Sequence, residues 1–79
     1  MVKNALHEII YYHRKQASLS RNQLAELSGV GKTVIYDLEK GKQTVRWANI
    51  IAVLEVLNVT ICFESPLMEN YEKSHRERT

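Results

Sequence analysis

SRNQLAELSGVGKTVIYDLEKG, residues 20–41, decides the fold. Its middle carries GKT at 31–33, the ending of a phosphate-cradling loop. Such a loop, G-x-x-x-x-G-K-[ST], would set its first glycine at position 26, after a buried strand. Position 26 is Glu26, whose carboxylate repels phosphate, and NQLAELS around it has helical spacing and helix-forming residues. The glycines therefore bend the chain. Ser20 with Gln23 is a capping box that starts, at Arg21, a helix containing Leu24, Ala25 and Leu27, and Gly29 supplies the left-handed conformation that ends it. After Val30, Gly31 is an acceptable N-cap for the next helix, with Val34, Ile35 and Leu38 as its apolar stripe and Gly41 as its close. Two helices joined by SGVG cross steeply, which is a helix-turn-helix unit. Ala25 is small where the two axes approach.

Outward from this unit, Leu6, Ile9 and Ile10 share one face of a first helix expected over residues 4–17. Thr44 is read as the cap of a fourth helix, VRWANIIAVLEVLN, with Trp47, Ile50, Ile51, Val53, Leu54 and Leu57 inward and Asn58 as its αL terminator. Val59, Ile61 and Phe63 then alternate with Thr60, Cys62 and Glu64, the period of a half-buried strand. After Pro66 the chain is polar, with Glu69 and Lys73, and Glu72 and Arg76, at the i, i+4 spacing of a solvated helix. Residues 1–65 are thus expected as one domain and 66–79 as a flexible tail, disordered or partly helical alone.

Composition sets the outer bounds. A chain of 79 residues is one small domain, and one of that size buries only about 60% of the surface its unfolded chain exposes. The single cysteine and the lack of a Cys/His grouping exclude a disulfide or zinc staple and suit a reducing cytoplasm, with Cys62 as a small buried residue. No run reaches the ~20 apolar residues that cross a bilayer, and the N-terminus lacks signal-peptide features. Residues 1–46 carry eight Lys and Arg against four Asp and Glu, whereas 47–79 carry three against five. One basic face toward a polyanion explains this asymmetry, and so does an ordinary solvated surface.

The series L-S-R-N-Q-L-A-E-L-S-G-V-G-K-T-V-I-Y-D-L-E-K-G-K, with the apolar spacing around it, resembles the Cro/cI-type (XRE) helix-turn-helix family over residues 6–59. The order of Ala25, Gly29, Val30, Ile35, Leu38, Glu39 and Gly41 carries the resemblance. YDLEKGKQTVRWANIIAVLEVL followed by NVTICFES is also similar to the HipB-like antitoxin branch, in which a short strand follows the last helix. The resemblance implies an all-α, lambda-repressor-like domain of four to five helices with a short C-terminal β-strand. Two departures stand out: Arg21 replaces the usual Gln, and Gly31 replaces the usual Ser or Thr.

From the family and from groove geometry, the third helix enters the major groove while the second crosses the backbone. Lys32 and Thr33, with Tyr36 and Asp37 one turn on, are then the base contacts, because lysine donates to guanine O6 and N7 and the Thr methyl meets a thymine methyl. Arg21, Asn22 and Gln23 at the front of the second helix, with Gly31, Lys40, Lys42 and Arg46, are the phosphate contacts. Glu39 and Arg14 are expected to form a structural ion pair.

A lone strand leaves its ladder groups unpaired, so Val59, Thr60, Ile61, Cys62 and Phe63 are expected to pair with a second copy about a two-fold axis. Pairing with residues 1–4 of the same chain is the alternative. A dimer sets two recognition helices about 34 Å apart and implies an inverted-repeat target. No triad or metal spacing is present, since His7 and His13 fall on different helix faces, so neither an enzyme nor a cofactor is expected. The functional expectation is a cytoplasmic, homodimeric, sequence-specific repressor of its own operon, acting as the antitoxin of a HipA-like kinase toxin. The alternatives are a stand-alone phage-type or metabolic regulator, and an antitoxin that acts mainly by binding protein.

Overall fold

The computed structural model describes residues 5–78. Five helices follow in order: α1 Leu6–Gln16, α2 Arg21–Ser28, α3 Lys32–Glu39, α4 Trp47–Val56 and α5 Met68–Arg78. The first four build the core, with α2 packed on α3 and α4, and α1 packed on α3.

Local chemistry explains most boundaries. The last turn of α1 holds His13, Arg14 and Lys15 against the negative end of the helix dipole, and the chain leaves through Ser18 at φ 59°. Helix α2 begins with a complete capping box: the Gln23 N–H donates to Ser20 Oγ at 3.0 Å, and the Ser20 N–H donates to Gln23 Oε1 at 2.8 Å. It ends at Gly29, φ 78°, a left-handed conformation that costs a residue with a Cβ. Gly31 is the extended N-cap of α3 and provides no capping side chain. Asn58, at φ 59°, follows α4, and the Val59 N–H closes onto the Leu54 carbonyl at 2.9 Å.

Ile10, Leu24, Ile35 and Val53, all fully buried, form the centre of the core, with Ala25, Leu38, Leu54 and Leu57 around them. Each comes from a different one of the four helices or their i, i+3 and i+4 neighbours, as a shared interior requires. Val30, between the two glycines, packs against this cluster and anchors the turn from inside.

Several expectations need correction. Helix α4 begins after Arg46, which occupies the N-cap position without a side-chain bond, so Thr44 is not the cap. Trp47 is 57% exposed because it is the first residue of α4, beyond the edge of the core that Ile50, Val53 and Leu54 face. Leu27 is 62% exposed, lying well round α2 from the face of Leu24 and Ala25. On α1 the inner stripe is Ile10 and Arg14 at i, i+4, with Leu6 at the margin.

The segment after α4 also differs from the expected strand. No strand is formed among the described residues, and 59–65 is irregular chain. Val59 and Ile61 pack against the chain's own core, while Thr60, Cys62 and Phe63 are exposed. A single segment has no ladder to join within one copy, and the alternative partner, residues 1–4, lies outside the described residues. Cys62 is therefore not a buried apolar residue in this chain.

The tail carries α5, whose described side chains are exposed except half-buried Met68. It adds little to the core, and Tyr71 stacks on His75 one turn later, with ring centroids 6.0 Å apart. A helix of this length without packing is marginal in water, so its local i, i+4 pattern is its main support.

Candidate nucleic-acid interface

The two halves of α3 face opposite worlds. Ile35 and Leu38 are 0% and 2% exposed, whereas Lys32, Thr33 and Tyr36 are on the surface. The tight Gly29–Val30–Gly31 turn sets this register, because it starts α3 immediately after α2 while Val30 stays inside. Lys32 and Thr33 therefore form an exposed first turn whose N–H groups have no partner within the helix.

Three hollows surround that helix and gather most of the expected site. Arg21, Asn22, Gln23 and Tyr36 line one, together with Lys15 and Ser18. Asn22 and Lys32 share the rim of a second, over the α2–α3 turn. Asp37, Lys42 and Arg46 line a third with Asn49, between α3 and α4. Thr33, Gly31 and Lys40 are exposed outside these hollows, with Lys40 at the C-cap of α3. Asp37 and Lys42 are themselves joined, Oδ2 to Nζ at 3.6 Å. That pair half-neutralises the far end of α3.

Beneath the surface lies a charged cluster. Arg14 donates from Nε to Glu39 Oε2 at 2.5 Å and from Nη2 to Oε1 at 3.1 Å, and its Nη1 donates to the Leu19 carbonyl at 2.9 Å. Both side chains are nearly sealed, at 6% and 5% exposure. A two-pronged guanidinium fork on a carboxylate is the geometry in which a buried pair offsets its desolvation best. The pair ties α1 to α3 and the α1–α2 connection at one point.

Arg21 adds a second guanidinium to the same carboxylate, Nε to Oε1 at 3.0 Å. Its Cζ lies 4.7 Å from the centroid of the Tyr36 ring. The hydrogen bond to Glu39 raises the Arg21 pKa above its ordinary value, with the Tyr36 hydroxyl a smaller contributor. One carboxylate cannot neutralise two guanidiniums, so the front of α2 keeps a net positive charge.

The sequence expectation does not include Lys15 and Ser18, which share this hollow with Arg21, Asn22 and Gln23. Lys15 looks like any solvated lysine in the last turn of α1, and the chain reversal at left-handed Ser18 brings the front of α2 to the same hollow.

These features define a helix-turn-helix DNA-binding regulator. Residues 10–63 match the family described as Helix-turn-helix, of Cro/cI type, and the chain belongs to that family. Two relatives are similar over most of this length. The uncharacterized HTH-type transcriptional regulator y4mF of Sinorhizobium fredii is 38% identical over 53 residues, 67% of this chain and 70% of its own. Control protein C.SmaI of Serratia marcescens is 32% identical over 60 residues, 76% of this chain and 71% of its own. Among the described residues, no helix is long and apolar enough to cross a membrane.

Proposed function

We propose that the chain is a sequence-specific transcriptional repressor that binds an inverted-repeat operator as a homodimer. One observation carries the reading: the outer face of α3 offers Lys32, Thr33 and Tyr36 from a helix whose opposite side is locked in the core. A rigid helix of that kind fits the major groove of B-DNA, where donors and methyl groups on each base pair are distinguishable. In this reading Lys32, Thr33, Tyr36 and Asp37 meet bases. Arg21, Asn22, Gln23, Gly31, Lys40, Lys42 and Arg46 grip phosphates, joined by Lys15.

The dimer reading is supported by Thr60, Cys62 and Phe63, which are exposed after α4, Phe63 at 70%. Pairing of Val59, Thr60, Ile61, Cys62 and Phe63 with a second copy would cover these side chains and add core to a small domain. Autoregulation of its own operon is the simplest use of such a protein. The antitoxin role, with a HipA-like kinase as partner, rests on the HipB-like resemblance alone. Neither relative is named for a toxin, so the repressor reading comes first.

The test is titration of a labelled duplex from upstream of the gene, at salt from 50 to 200 mM. Affinity should fall by about three decades or more if six or more phosphates are contacted. A duplex of scrambled sequence should bind far more weakly, and equal binding of both would refute sequence specificity. Sedimentation at micromolar concentration should give a dimer, and a monomer would refute the pairing.

A further inference from the structure

Arg21 stands where the helix-turn-helix pattern usually has Gln, and a simple phosphate contact does not account for its surroundings. Its Nε is committed to Glu39, and its guanidinium covers one side of the Tyr36 ring. Glu39 is a well-held anchor, 5% exposed and with both of its oxygens bonded by Arg14. Tyr36 is 40% exposed on the outer side of α3, so its ring has room to adopt more than one rotamer unless something holds it. The Arg21 Nε donates to Glu39 at 3.0 Å, and the Tyr36 hydroxyl also favours the charged form of the guanidinium. Arg21 borders the open hollow together with Lys15, Ser18 and Asn22, and its side chain is 38% exposed.

From this geometry we infer that Arg21 is a positioning residue for base recognition, clamping the Tyr36 ring between α2 and the groove while the exposed part of its guanidinium meets a phosphate. This rests on the DNA-binding reading above and adds to it a coupling between backbone grip and base choice. The planar guanidinium is essential. It stacks on the ring face and keeps a fixed Nε donor toward Glu39, and a lysine ammonium does neither, although it preserves the charge. The clamp is separable from folding, because Arg14 still satisfies both Glu39 oxygens when Arg21 is removed.

The experiment compares wild type, Arg21→Lys, Arg21→Ala, Tyr36→Ala and the Arg21→Ala/Tyr36→Ala double variant. Each full chain is used to select sites from a random duplex library, and the selected duplexes are then titrated at several salt concentrations. Thermal unfolding confirms that all variants are folded. Arg21→Lys should keep the wild-type salt slope yet lose preference at the same base-pair position as Tyr36→Ala. The double variant should lose no more preference there than either single variant, giving a coupling of about threefold or more in relative affinity.

The inference is overturned if Arg21→Lys restores both slope and preference, or if Arg21→Ala weakens all sequences alike with effects additive to those of Tyr36→Ala. A readout without DNA adds an independent check. The Arg21 Nε–H resonance should be sharp and ring-shifted in wild type and move on Tyr36→Leu, and an unshifted resonance refutes the stack. If wild type itself selects no sequence while the ring shift is present, the DNA-recognition reading fails, and the inferred role in base choice is overturned with it although the contact exists.

Discussion

Replacing Glu39 with Gln tests the charged cluster that ties the fold to its interface. Arg14 and Glu39 are 6% and 5% exposed, so their charges are not relieved by solvent. Removing the carboxylate strands the Arg14 guanidinium in the interior, which costs about 3 to 5 kcal/mol. The amide carbonyl of Gln recovers one neutral hydrogen bond, worth about 1 kcal/mol, leaving a loss of about 3. Arg21 adds little to this figure because its side chain turns to water. In urea, with a slope of about 1 kcal/mol/M for so small a protein, the midpoint should fall by about 3 M. Thermal unfolding should fall by about 12 to 24 °C. Helicity by circular dichroism is the suitable probe, since Trp47 is already exposed in the native state.

The asymmetry of the cluster sharpens this prediction. Arg14→Met should cost less than Glu39→Gln, because Arg21 still bonds Glu39 at 3.0 Å when Arg14 is gone. The double replacement Arg14→Met/Glu39→Leu should recover to within about 1 kcal/mol of wild type, since apolar isosteres avoid the desolvation altogether. A Glu39→Gln protein that unfolds within about 0.5 kcal/mol of wild type would show that the pair carries no such load.

The glycines of the turn should respond with opposite signs. Gly29→Ala meets no atom within 4 Å, yet at φ 78° it should lose about 1 to 2 kcal/mol. Gly31→Ser, also uncrowded and already in extended conformation, should gain a few tenths of a kcal/mol by capping α3. Both are read from urea midpoints, and a matching loss at the two positions would contradict the turn geometry. Leu24→Ala should cost about 3 kcal/mol by opening a cavity at a fully buried site, against little change for exposed Leu27→Ala. Lys32→Ala should lose about 1 to 3 kcal/mol of affinity for the selected site and relax preference at one position, and an equal loss on scrambled DNA would demote Lys32 to a phosphate contact.

The parts of this molecule legible in the sequence are those fixed by short-range chemistry. Ser20 and Gln23 are three residues apart, Gly29 and Gly41 stand where left-handed turns are needed, and Ile35 and Leu38 share a face. The motif order placed Lys32 and Thr33 on the surface side of α3 for the same reason. What periodicity could not resolve was which apolar residues win a place inside. The fourth helix has more apolar residues than one face can bury, so periodicity alone points Trp47 inward, although it starts α4 at the rim. Strand alternation at 59–64 was visible, but a strand is a property of two segments, and one copy holds only one of them. The bond from Arg21 to Glu39 and its stack on Tyr36 join residues of two crossing helices, and no local spacing encodes such a meeting.

Methylation interference on a duplex selected by the wild-type protein tests the central claim most directly. If α3 lies in the major groove, methyl groups on guanine N7 should abolish binding at two clusters about one helical turn apart, related by a two-fold axis. Lys32→Ala should remove that interference at one guanine in each cluster. Interference confined to adenine N3 in the minor groove, or none in either groove, would contradict the account.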